Sequence, residues 1–177
     1  EGRMVHPDRP TLIPATADRV DAVASRLASG ALVALPTETV YGLAADAEHR
    51  AAVRAVFAAK GRPADHPLIV HLASAAMAAR YAAVWPRAAA VLAERFWPGP
   101  LTLVVPAQST VLREVTGGQP TVALRVPQQP FTLAVIEKLG RGVVAPSANR
   151  FGRVSPTAAQ HVVEEFPTLE LWVADAG

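Results

Sequence analysis

GALVALPTETVYG, residues 30–42, contains the switch on which the reading of the fold depends. Gly30 stops a helical pattern in which Val20, Val23, Ala24 and Leu27 share one face. Ala31–Leu35 is then a short apolar run halted by Pro36, the signature of a buried strand. The remainder, Pro36–Gly42, is a polar loop with two hydroxyls, a carboxylate and a phenol, closed by glycine. A helix feeding directly into an apolar strand is the local unit of an α/β protein.

The same alternation extends in both directions. Upstream, Asp18 is the expected N-cap of the helix that Gly30 ends. Downstream, a helix is predicted over 48–60 with Gly61 as its stop, then a strand over 68–72 and an alanine-rich helix capped by Ser74. Pro86 suits the first turn of a helix that Pro98-Gly99-Pro100 breaks. Strands are expected over 101–105, 121–126, 143–145 and 169–173, with helices over 130–139 and 157–166. Two strands in succession within 101–126 predict a mixed sheet. Residues 1–3 read as a tag remnant, leaving 4–177 as one domain.

Composition narrows the chemistry. Apolar residues make up 51% of the 177-residue chain, enough for a core, and charged residues only 18%. The absence of cysteine excludes disulfides, a thiolate nucleophile and Cys-ligated metal. Basic and acidic residues nearly balance, 17 against 15, and no basic block marks a nucleic-acid binder. No uncharged apolar stretch of about 18 residues predicts a membrane span, and no leader reads as a signal peptide, so the expected location is cytoplasmic. Of the 17 basic residues 15 are Arg, which singles out Lys60 and Lys138. Lys138 is read as a surface residue near a helix end.

Walker, Gly-x-Gly-x-x-Gly, His-Glu-x-x-His and Gly-x-Ser-x-Gly signatures are all missing. What remains is polar clusters at predicted strand ends, where α/β sheets place ligands. Lys60-Gly61-Arg62-Pro63 offers a movable ammonium beside a rigid guanidinium fork, a pairing suited to polyphosphate. Each such contact at about 4 Å is worth roughly 4 kcal/mol at an effective dielectric near 20. It serves equally as a helix end that places cations against the dipole. Ser147 and Asn149, followed by Arg150, Arg153 and Ser155, can donate to phosphate or ribose oxygens, or simply form a polar turn. Arg125 interrupts an apolar strand, so it either pairs internally or faces a cavity holding an anion. His66 and His71 flank Pro67–Val70, and no cluster of acidic residues around them is spaced as a metal site.

Together these segments resemble, in order, the YrdC/Sua5 family of threonylcarbamoyl-AMP synthases. The matching stretches are Leu35-Pro-Thr-Glu-Thr-Val-Tyr-Gly-Leu43, Lys60-Gly-Arg-Pro63, Pro67-Leu-Ile-Val-His71, Phe96-Trp-Pro-Gly-Pro-Leu-Thr102, Leu124-Arg-Val-Pro127, Ala145-Pro-Ser-Ala-Asn149 and Ser155-Pro-Thr157. The resemblance implies a YrdC-like α/β domain whose twisted mixed sheet, flanked by helices, has a concave ligand-binding face. It implies synthesis of L-threonylcarbamoyladenylate and pyrophosphate from L-threonine, bicarbonate and ATP with Mg²⁺, and a downstream tRNA-modifying transferase as consumer. Lys60, Arg62, Ser147 and Asn149 are then the catalytic signature. Thr39, His71, Arg125 and the Ala145 backbone would hold threonine. Lys60, Arg62, His66, Thr121, Ser147, Asn149 and Ser155 would surround ATP, and no side chain is assigned to metal. His66 stands where relatives often carry Asn. Relatives continue past Gly177 into a Ser-Thr-containing strand that helps bind threonine, so the C-terminal end is expected to be truncated; the short YrdC type is the match.

Two other readings compete. A non-catalytic RNA-binding module would show salt-sensitive binding; the near-neutral charge weighs against it, leaving at most weak RNA contact. A carbamoyltransferase-type YrdC-like module would belong to a larger multidomain chain.

Overall fold

The structure, a computed structural model, describes residues 9–177. The tag-like residues 1–3 lie outside the described residues. Eight strands form one mixed sheet: β1 (Pro10–Pro14), β2 (Val33–Pro36), β3 (Tyr41–Asp46), β4 (Ile69–His71), β5 (Leu103–Pro106), β6 (Thr121–Arg125), β7 (Val143–Val144) and β8 (Leu171–Asp175). The order across it is β1-β8-β2-β3-β7-β4-β6-β5. Three parallel pairs (β1 with β8, β2 with β8, β4 with β6) are combined with four antiparallel ones, so the expected mixed α/β architecture stands. The helices are α1 (Val20–Ala28), α2 (Arg50–Lys60), α3 (Arg87–Phe96), α4 (Arg113–Thr116), α5 (Pro130–Leu139) and α6 (Ala159–Glu165).

Period-two alternation divides the core between the two sheet faces. Val33 and Leu35 of β2 pack with Val23 and Leu27 of α1 and Val135 and Ile136 of α5. Ala34 points the other way, into a larger cluster with Val53 and Val56 of α2, Ala89 and Ala93 of α3 and Val162 of α6. Val70, Leu103, Val122 and Leu124 also join this larger cluster. The α1/α5 layer draws no residue from β4, β5 or β6, and that half of its sheet face stays uncovered. Ile69, Ala123, Arg125 and Val104 therefore lie on open sheet, and Val104 is 65% exposed. The concave face is the place where one helix layer stops short.

Several local expectations are corrected. Tyr41 and Gly42 are not loop: they begin β3, which is buried along its whole length and pairs antiparallel with β2. The polar residues had hidden a tight turn between two strands. Asp18 is not an N-cap but lies in a 3-10 turn, Ala17–Arg19, accepting the Thr16 hydroxyl. The alanine-rich helix after Ser74 is likewise a 3-10 segment, Ala75–Arg80, without a side-chain cap. Thr157 does not cap α6, whose N-cap is Ala158. His49, not Glu48, starts α2: its Nδ1 accepts the Ala52 N–H at 3.2 Å, leaving Glu48 free for other partners.

Candidate active site

Part of the uncovered half of the sheet, around Ile69, His71 and Arg125, is the floor of a small cavity of about 250 Å³. His71 and Arg125, direct neighbours in the parallel β4–β6 pairing, lie on that floor. The β2–β3 turn contributes Thr37 and Thr39, the segment after α2 contributes Arg62 and Pro67, and the segment after β7 contributes Ala145 and Ser147. A larger cavity, about 510 Å³, lies between α2 and α4 and opposes Arg54 with Glu114 at 3.2 Å. The smaller one is the better site because polar groups from four segments converge there.

The turn is closed by Thr37. Its N–H donates to the Val40 carbonyl at 3.0 Å, and its hydroxyl accepts the Val40 N–H at 3.1 Å. Next to it, the Leu43 N–H donates to the Pro146 carbonyl at 2.6 Å and the Ala148 N–H to the Tyr41 carbonyl at 2.8 Å. This pairing brings the backbones so close that a Cβ on Gly42 would stand 2.9 Å from the Ala145 oxygen. Only glycine lets the post-β7 segment sit against β3.

Arg125 does both things its sequence position allowed. Its Nε donates to the Gly99 carbonyl at 2.9 Å and its Nη2 pairs with Glu38, while it still lines the cavity. Burial lowers the Arg125 and Arg62 pKa values from their ordinary value, yet guanidinium stays cationic. Arg62 donates to the Pro67 carbonyl at 2.9 Å, and its buried Nε has no partner. His71 is 4% exposed with an unpartnered Nδ1, and burial pushes its pKa down to about 4, so it is neutral near pH 7.

Lys60 is less a free cation than a buried tie. It is 3% exposed, and its ammonium donates to the carbonyls of Ser147 and Asn149, both at 2.5 Å. Burial and the nearby Arg62 push its pKa down to about 8, with Glu165 opposing the shift. Two of its three N–H donors are thereby used within the protein. Asn149 also supports the loop: its Nδ2 donates to the Arg150 and Arg153 carbonyls at 2.7 and 2.9 Å, and its buried Oδ1 has no partner.

The structure thus gathers Thr39, Arg62, His71, Arg125, Ala145 and Ser147 around one cavity, with Lys60 and Asn149 buried beneath its rim. His66 is set edge-on against Phe151, ring centres 5.7 Å apart. Thr121 opens β6 opposite Pro106, and neither it, His66 nor Ser155 lines the cavity. Glu38 and Gly99 were missed as site residues. Glu38 lies inside the quoted motif, and an arginine on an apolar strand was itself the signal for a carboxylate partner. Among the described residues no cluster of three His, Asp or Glu is placed to hold a metal, and no helix is long and apolar enough to cross a membrane. Two guanidiniums, hydroxyls and a neutral imidazole around a small space suit a small carboxylate-bearing ligand.

A family model described as telomere recombination, covering Sua5, YciO and YrdC, matches residues 25–177. The chain is 49% identical over 161 residues to a threonylcarbamoyl-AMP synthase of Pyrococcus abyssi, covering 88% of this chain and 47% of that protein. With the Bacillus subtilis protein of the same name it shares 44% over 155 residues, covering 87% and 45%. The solved structure of P. abyssi Sua5 complexed with L-threonine superposes with a TM-score of 0.88 at 46% identity, covering 96% of this chain and 50% of that one. The chain spans about half the length of these relatives.

Proposed function

The chain belongs to the Sua5/YciO/YrdC family, and from that premise we propose that it joins L-threonine, bicarbonate and ATP into L-threonylcarbamoyladenylate, releasing pyrophosphate, for N6-threonylcarbamoyladenosine modification of tRNA. The observation that carries this reading is the small cavity with Arg125 and neutral His71 side by side on its floor. It suits one amino acid, and in this reading the nucleotide lies along its rim. The names of the relatives and the threonine bound to one of them support the same reading.

The chemistry asks the protein for position and charge, not for a nucleophile. The threonine amine, once deprotonated, attacks the carbon of bicarbonate and water leaves, giving a carbamate. A carbamate oxygen then attacks the α-phosphorus of ATP and pyrophosphate leaves. Arg125 orients the carboxylate of threonine, and the neutral His71 adds no further charge to the floor. Arg62 and the remaining proton of Lys60 face the charge that builds on the phosphates. Mg²⁺ enters as part of the MgATP substrate, held by its phosphates. Catalysis is then proximity and electrostatics, with a downstream tRNA-modifying transferase consuming the adenylate.

Mass spectrometry of products from ATP, bicarbonate and threonine, with serine in parallel, tests the proposal. Threonylcarbamoyl-AMP is expected, with pyrophosphate in equal amount. No adenylate in either mixture would overturn it, and salt-sensitive RNA binding in that case would favour a non-catalytic RNA-binding module.

A further inference from the structure

Arg125 is held on two sides by the protein itself. Gly99 takes its Nε, and Glu38 takes Nη2. The second carboxylate oxygen of Glu38 accepts the Gln128 N–H at 3.2 Å, so one side chain joins the β2–β3 turn to the segment leaving β6. The pair is largely shielded, with side-chain exposures of 14% for Arg125 and 20% for Glu38. Thr39, which lines the same cavity, is the next residue along that turn.

Resting on the threonine reading above, we propose that Glu38 is a positioning residue that acts through Arg125. A guanidinium presents five donors in a planar fork. With one edge fixed by Gly99 and Glu38, the donors left over have a single orientation toward the cavity. The same carboxylate anchors the turn, so it also sets the separation between Arg125 and Thr39, both of which line the cavity. Glu38 touches no reacting atom in this scheme. Without it, Arg125 keeps its charge but loses its aim, and the turn loses its tether.

Threonine binding by calorimetry and steady-state kinetics on the same chain test this. Glu38→Ala is expected to raise the Kd and KM for threonine by about tenfold or more, with the KM for ATP within about twofold of wild type. Glu38→Asp is expected to recover part of the loss. Glu38→Gln, which keeps the shape, is read in the same way should the alanine variant fold poorly. Unchanged threonine affinity, or an equal rise in both KM values, overturns the assignment. Tighter threonine binding overturns it too, because Glu38 would then compete with substrate for Arg125. Wild-type protein that binds no threonine overturns the functional reading and this assignment together, an outcome visible before any variant is made.

Discussion

The Lys60 ammonium lies 2.5 Å from the carbonyl oxygen of Ser147, bonding the last residue of α2 to a loop 87 positions further along the chain. A second bond of the same length reaches Asn149, and the Phe151 N–H returns to the Lys60 carbonyl at 2.7 Å. A side chain singled out for its charge is therefore also the strut under the post-β7 loop.

Lys60→Met should affect folding and chemistry together. The buried Asn149 carbonyl and the part-buried Ser147 carbonyl lose their donor, costing about 1–3 kcal/mol in urea unfolding. Adenylate formation should fall by a factor on the order of 10²–10³. Pyrophosphate release near the wild-type rate would refute the role given to Lys60 in the reaction.

Acid should weaken the fold through His71. Its folded-state pKa is down at about 4 against an ordinary 6.5, so the unfolded chain binds the proton first. Stability is complete above pH 6.5 and is lost as pH falls toward 4, by up to about 3 kcal/mol. Urea midpoints measured across that range should slope downward toward acid, and His71→Gln should flatten the slope.

Tyr81→Phe removes a buried hydroxyl that accepts the Gly142 N–H at 2.6 Å and donates to Glu48 at 2.9 Å. Burial pushes this phenol's pKa up, so it remains protonated and able to donate. A loss of about 1–3 kcal/mol is expected. Combined with Glu48→Gln the losses should be less than additive, because both changes break one network.

Gly142→Ala should destabilise by about 1–3 kcal/mol through overpacking. The added Cβ would clash with the Val70 side chain and meet the Tyr81 hydroxyl at 3.1 Å and the His71 carbonyl at 3.2 Å. Because β7 pairs with β4 at His71, the displacement reaches the cavity floor. Thermal melts read the first effect and threonine affinity the second.

The chain's own spacing foretold much of this. Val23, Ala24 and Leu27 do bury one face of α1, and Lys138 is exposed beside Asp21 at 3.8 Å. Arg125 on an apolar strand announced a partner or an anion, because a lone buried charge is too costly. Tyr41 and Gly42 start a strand paired on both sides, but the hydroxyls and glycine around them carry the composition of a loop, and the pairing partners lie elsewhere in the chain.

Local physics determined most of the helix and strand segments, since periodicity, proline and glycine act over a few residues, though not β1, α4 or the start of β3. The order of the motifs was enough to reveal the family. Tertiary structure alone decided that β7 would come between β3 and β4, bringing Thr39, His71, Arg125 and Ala145 around one cavity. It alone decided that Lys60 would be buried and that Glu38 would meet Arg125. Strand order, burial and ion pairing depend on contacts between residues far apart in the chain, and no short window of sequence contains them.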